Sequence, residues 1–299
     1  MNLNLIGTDQ NGVTHTLPQP FWLKMQRSVS APADALTLTF LNCDIPDICF
    51  CEISGDISFY GVVDTISRKS DSSGSKTVMY CRSIVAMLLD CQETPGKSVN
   101  PNLDILSITH TCGGRLKGFL YDSYTPVSVL SATGSMSQWA YLCLFCEQTM
   151  GRTPHITPDL YISTKPYDSS VKHNLDNFIA SESITDYSEI VTSVSVKNAD
   201  GGYPLTITNP NFPLAFSRHR YVSPGIGWQN FPEQYGYRVL SQSMLNFKTK
   251  TLTLSGFLAL DLGQTGVHNG EEKAIIEIEY LLDQNGAKTK VTLGEREYL

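Results

Sequence analysis

Two cysteine pairs stand at spacings that metal and redox chemistry use. In Cys143-x-x-Cys146 the thiols lie one helical turn apart, but a structural zinc takes four ligands and this pair supplies two, with no second pair and no histidine nearby in sequence. Both fall on the apolar stripe of a predicted helix with Trp139 and Leu142, where they read as core residues. Cys49-x-Cys51 puts two thiols on one face of an extended segment, and packing is favoured there for the same want of further ligands. The eight cysteines, at 43, 49, 51, 81, 91, 112, 143 and 146, sit mostly in apolar periodic segments, the pattern of reduced thiols in a protein made in the cytosol.

Nucleophilic and acid–base chemistry finds as little. No Gly-x-Ser-x-Gly elbow occurs, and Ser169-Ser170-Val171-Lys172 matches a Ser-x-x-Lys pattern without the partner motifs that would give the serine a base. The histidines at 15, 110, 155, 173, 219 and 268 are scattered singly, with no His-x-x-x-His pair. Glu277 and Glu279 project to one face of a strand, which is ordinarily a solvated face, whereas glycosidase carboxylates more often come from separate strands. No catalytic, cofactor-binding or metal site is expected.

The remaining stretch of note is Arg218–Tyr237 (RHRYVSPGIGWQNFPEQYGY), inside an irregular loop predicted over 209–236. Trp, Tyr and Arg dominate interface hot spots, and Arg220, Trp228, Phe231, Tyr235 and Tyr237 come close together here. These residues are candidates for a protein–protein contact. The same aromatics could equally fold back as a small satellite core, and the sequence leaves both readings open.

The elements that must carry these residues are mostly strands. Charged residues are 17% of the 299, below the usual quarter, while Gly, Ser, Thr, Asn and Tyr are plentiful. Leu36, Leu38 and Phe40 alternate in LTLTFL, as do Ile57, Phe59, Gly61 and Val63 in DISFYGVVDTI, and the polar stretch Lys69–Lys76 predicts a hairpin tip. Ser83 is placed to cap a short helix through Cys91, and further helices are predicted over 102–112 and 135–150. IVTSVSV and YPLTIT flank a turn at NADGG; TLTLSGFLALD, AIIEIEYLLD and TKVTL follow, with Asn285-Gly286 as a hairpin signal. The expected class is mainly β (α+β): a β-barrel-like domain over 1–100, a small α/β insert over 101–165, and a second β-barrel-like domain over 166–299. A net charge of −7 without a basic cluster excludes a nucleic-acid binder that works by neutralising phosphates. The N-terminus lacks the pattern of a signal peptide, and no apolar run nears the roughly 20 residues that span a bilayer.

The order of these elements, with particular residues at the joints, resembles the baseplate tail hub family of contractile phages, including the hub of phage Mu and the hub part of type VI secretion spikes. The resemblance is carried by WLKMQRSVSAPAD (Trp22–Asp34), where an aromatic-led strand meets a small and acidic turn; by LTLTFL and the Gly61–Asp64 part of ISFYGVVD; and most by YCRSIVAMLLDC, in which a strand ends in Arg82-Ser83 and a helix carries Leu88-Leu89-Asp90. QWAYLCLFCEQTMG passing into PHITPDLYIS is similar to the family's insert. The aromatic segment Tyr221–Tyr237 departs from the family's cleaner approach to its final hairpins.

The resemblance implies a non-enzymatic homotrimer in which two β modules per chain form a pseudo-sixfold ring, joining a hexameric tail tube to a trimeric spike among other baseplate proteins. It implies assembly in the bacterial host cytoplasm and residence in the tail baseplate of a phage or headless tailocin. DNA would pass an acidic lumen without specific binding, and no membrane is involved. The competing expectation is a carbohydrate- or receptor-binding β-domain of a phage tail, using the aromatic loop to stack on sugars.

Overall fold

A computed structural model describes residues 2–72, 74–92, 98–99, 115–123, 130–131, 134–209 and 217–299. The predicted helix over 102–112, with His110 and Cys112, lies outside them. Strand accounts for 46% and helix for 14%, so the protein is mainly β.

The chain runs β1 (Leu3–Thr8), β2 (Thr14–Thr16), β3 (Trp22–Ser28), β4 (Ala35–Leu41), β5 (Phe50–Gly55), β6 (Phe59–Asp71), β7 (Gly74–Ser83) and the one-turn helix α1 (Ala86–Asp90). Then come β8 (Ser98–Val99), β9 (Gly118–Leu120), β10 (Leu130–Ser131), α2 (Gln138–Met150), β11 (His155–Ile156) and β12 (Tyr161–Ser163). The last part holds β13 (Lys172–Asn174), β14 (Ala180–Thr185), β15 (Ser193–Val196), β16 (Leu205–Thr208), β17 (His219–Val222), a 3-10 turn at Ile226–Trp228, and α3 (Pro232–Met244). It closes with β18 (Lys248–Ser255), β19 (Thr265–His268), β20 (Glu271–Asp283) and β21 (Gly286–Gly294).

Two compact units divide the chain, and neither is a single stretch of sequence. The first comprises Met1–Met87, Tyr167–Ser183 and Lys250–Leu293; the second comprises Leu88–Pro166, Ile184–Thr249 and Gly294–Leu299. Strands of the last fifty residues extend the sheet begun by the first ninety rather than standing apart from it.

In the first unit the sheet order is β14-β18-β21-β20-β3-β4-β7-β6-β5-β1-β2, with β19 added onto β20 and β13 onto β19. The junction is the antiparallel pair β20–β3, running from Glu277 opposite Ser28 to Leu282 opposite Leu23. Alternation sets the buried face: Leu36, Leu38 and Phe40 are at most 1% exposed and pack with Leu23, Met25, Ile53, Met79 and Ile278 in one core. A β-bulge between Val63 and Thr65 inserts Asp64, so the inward phase shifts from Val63 to Ile66. Asp64 thereby points outward and takes Arg82 through two bonds, of 2.7 Å and 2.8 Å. Gly61 is required here, because a Cβ would lie 2.0 Å from the Arg82 carbonyl oxygen. Ser83 ends β7 and accepts a hydrogen bond from the Asp34 amide, so it ties two turns together and does not cap a helix.

In the second unit, α2 follows the sequence closely. Ser137 caps it by accepting from the Ala140 amide at 3.1 Å, and Gly151 stops it at φ 62°. Its buried face is Tyr141, Leu142, Phe145, Cys146 and Thr149, leaving Trp139 and Cys143 half-buried at the margin. Strands β11, β12 and β9 form a small sheet, with β12–β9 parallel, so the described part of the insert mixes helix and strand.

The segment predicted as an irregular loop is a correction. Within its described residues it contains β17, a 3-10 turn and the start of α3. Pro232 sits at the first helical position, where a missing amide costs nothing, and Gly236, Leu240, Ser243 and Met244 repeat at helical spacing on the buried face. Gly236 allows the helix to approach β15 and β16, since a Cβ there would lie 2.5 Å from Ile207 Cδ1. Val191, Val194, Val196, Ile207 and Leu240 form the core between helix and sheet.

Candidate interaction surface

The five contact candidates separate into two groups. Trp228 is 4% exposed, its ring 5.8 Å from that of Tyr235, which packs against the β15–β16 core. Phe231 lies half-buried directly over Gly151, where a Cβ would meet its ring at 2.8 Å. Three of the five therefore fill a satellite core, while Arg220 and Tyr237 are exposed. The core is closed by charge as well as area. The Arg238 guanidinium stacks over Trp228 at 5.3 Å and reaches Glu147 at 3.5 Å. Burial pushes the Glu147 carboxyl above its ordinary value, with Arg238 and the Trp228 indole opposing the rise.

What the sequence reading passed over lies on the outer face of β17. Tyr221, 70% exposed, meets Tyr203 edge-on at 5.0 Å and His219 at 4.7 Å, and Ser193 Oγ lies 2.7 Å from His219 Nδ1. The signal was the alternation His219-Arg220-Tyr221-Val222, which puts His219 and Tyr221 on the face opposite Val222 and the core. This cluster is an exposed aromatic patch of the second unit, and Arg220, which alternates to the Val222 side of the strand, does not belong to it.

The remaining candidates for chemistry occupy ordinary structural places. Cys143 is pushed up to about 12 and Cys146 well above its usual range by burial, so both are thiols rather than the thiolates that metals and nucleophilic attack need. Cys49 and Cys51 do not share a face, a second correction: Cys49 precedes β5 and is exposed, whereas Cys51 is buried beside Cys81. Lys172, the lysine of the Ser169-x-x-Lys pattern, is held by Glu272 at 2.6 Å in an exposed ion pair. Glu279 bridges Lys24 at 2.8 Å and Lys290 at 3.3 Å across three strands. His155 is driven down to about 4 by burial, and among the described residues no three His, Cys, Asp or Glu side chains converge as a metal site. Among the described residues, no helix is long and apolar enough to cross a membrane.

No protein-family model and no curated protein matches the sequence. Solved structures do. A tail protein from Neisseria meningitidis is 15% identical, with a TM-score of 0.74 over 99% of this chain and 97% of that one. The 43 kDa tail protein of prophage MuSo2 from Shewanella oneidensis is 14% identical, with a TM-score of 0.80 over 99% of both chains. The Escherichia coli c3393 protein, a type VI secretion component structurally similar to the T4 bacteriophage tail proteins gp27 and gp5, is 9% identical, with a TM-score of 0.59 over 99% of this chain and 77% of that one. Such identities establish likeness of fold, and it runs from end to end: the protein has the fold of phage and prophage tail proteins, the kind to which the tail hub family that its sequence resembles belongs.

Proposed function

We propose that this protein is the structural hub of a contractile phage tail or tailocin baseplate, joining the hexameric tail tube to the trimeric spike as a homotrimer. The end-to-end match to tail proteins in both chains is the observation that carries this reading. On this reading two β modules per chain are the quasi-equivalent positions that let three copies face a sixfold tube. The −7 charge suits a lumen that DNA traverses without being gripped. Co-expression with the tube and spike proteins of the same gene cluster is the test: the hub reading expects a complex with three copies of this chain by native mass spectrometry. Failure to bind either protein refutes it.

The exposed Tyr203–Tyr221–His219 cluster favours a second reading, a carbohydrate-binding surface on a tail, because tyrosine faces can stack on sugar rings. Retention on immobilised host glycans that is lost in Tyr221→Ala would support it.

A further inference from the structure

The sheet of the first unit ends in strand β14, and this end is open. All six residues of Ala180–Thr185 are exposed, on both faces, whereas a strand at the margin of a packed sheet ordinarily buries alternate side chains. Phe178, Ile179 and Ile184 are 38, 61 and 47% exposed. β14 pairs with β18, and among the described residues no strand pairs with its other side. The Ile179 amide donates to the Thr253 carbonyl at 2.7 Å. The Asp186 amide, seven residues on, donates to the Phe247 carbonyl at 2.8 Å, so the alternation of amides along this strand breaks once in between. The sequence around this edge is acidic: residues 176–189 hold four carboxylates and no Lys or Arg.

The same unit carries an edge of the opposite charge. β5 pairs with β6 only over Phe59–Val62, so from Thr65 to Asp71 β6 has β7 on one side and, among the described residues, no strand on the other. The ribbon bears exposed Arg68, Lys69 and Lys76 against the single carboxylate of Asp71. Lys69 and Lys76 stand directly opposite each other, an arrangement that repels within the hairpin unless an anion comes between them. Arg68 already has Asp47 at 2.8 Å.

We propose that the β6–β7 ribbon of one copy adds edge to edge onto β14 of the next copy, bringing Glu182 against the Lys69–Lys76 pair. Backbone groups on the free side of β14 gain partners, and Ile179 and Ile184 leave water. The two halves of this joint are different surfaces, so repeating it carries subunits around a closed ring, where a self-complementary patch would stop at a pair. The inference rests on the hub reading and supplies its subunit contact.

The test places a photo-cross-linking benzoylphenylalanine at Ser70 in the full chain and illuminates a mixture of isotopically light and heavy protein over a concentration series. The expected adduct joins residues 65–77 of one copy to 176–189 of another. Glu182→Lys alone sets a third cation against the lysine pair, so it should lower the adduct about tenfold with unchanged thermal unfolding. Lys69→Glu with Lys76→Glu should lower it too, and adding Glu182→Lys should restore it. Adducts within one copy, none at the highest concentration, or full yield from Glu182→Lys overturn the joint. Inter-copy adducts mapping to another surface also overturn it while sparing the hub reading, whose own failure shows separately as loss of spike and tube binding.

Discussion

Arg27→Met is the most informative single substitution in the first unit. Arg27 lies on β3, and its guanidinium holds Asp261 at 2.6 Å and Asp34 at 3.4 Å. All three side chains are about four-fifths withdrawn from solvent. Burial pushes the Asp34 carboxyl above its ordinary value, with Arg27 drawing it back. Methionine keeps the volume of the stem but leaves two acids without their cation. Removing one partner of a buried ion pair costs 3–5 kcal/mol, and the residual exposure argues for the lower end, about 3 kcal/mol. At roughly 2–4 °C per kcal/mol, melting should fall by about 6–12 °C. The defect has a signed pH dependence. In the variant the Asp34 carboxyl, already raised by burial, loses the opposing pull of Arg27, so the folded state binds more protons, and its stability relative to wild type recovers as pH falls from neutral toward roughly pH 5. Urea unfolding followed by circular dichroism at the two pH values measures both effects. Adding Asp34→Asn and Asp261→Asn should recover most of the loss. A cost below about 1 kcal/mol, or one that grows in acid, would refute the account of a cation neutralising two buried acids.

Three further outcomes are expected. Trp228→Ala should cost about 3–5 kcal/mol as a core deletion, while Tyr221→Ala should leave unfolding within about 0.5 kcal/mol of wild type, which separates the satellite core from the surface cluster by urea titration. Gly61→Ala should lower the urea midpoint by the equivalent of about 2 kcal/mol or more, because its Cβ meets backbone at Arg82 rather than a side chain that can swing aside. Glu279 resists burial, but Lys24 and Lys290 hold it below the ordinary carboxylate range; its contribution, about 1 kcal/mol, is present above the unfolded value and lost as pH falls through the folded one. Glu279→Gln should therefore flatten the acid limb of the stability curve.

The strands that the sequence revealed are those with one wet face and one dry face. LTLTFL and TVMYC alternate because one face of the sheet packs on a core, whereas AIIEIEYLLD opens on three successive buried residues, Ala274, Ile275 and Ile276, before it alternates; Asn285-Gly286 marks the hairpin because Gly286 takes φ 101°. Helix α2 was legible from its cap and its stop. Helix α3 was not, because Pro232 and Gly236 read as breakers when one stands at a position that needs no amide and the other lets the helix lie close to β16. Strand β14 gave no periodic signal because neither of its faces is buried. The aromatic segment left core and surface open: composition finds Trp228 and Tyr235 but does not say which side of β17 they occupy, and that decides between the two. Pairings such as β20 with β3 leave no local trace at all.

That last pairing bears on how the chain is made. Gln26 meets Glu279 across 253 residues, so β3 leaves the ribosome with β4 on one flank and nothing on the other. At translation rates of 5–20 residues per second its partner follows about 13–50 s later. Throughout that delay a half-built sheet presents an apolar face and a free margin to every other nascent chain nearby, which makes this a protein whose yield should depend on holding chaperones and on slow synthesis at low temperature.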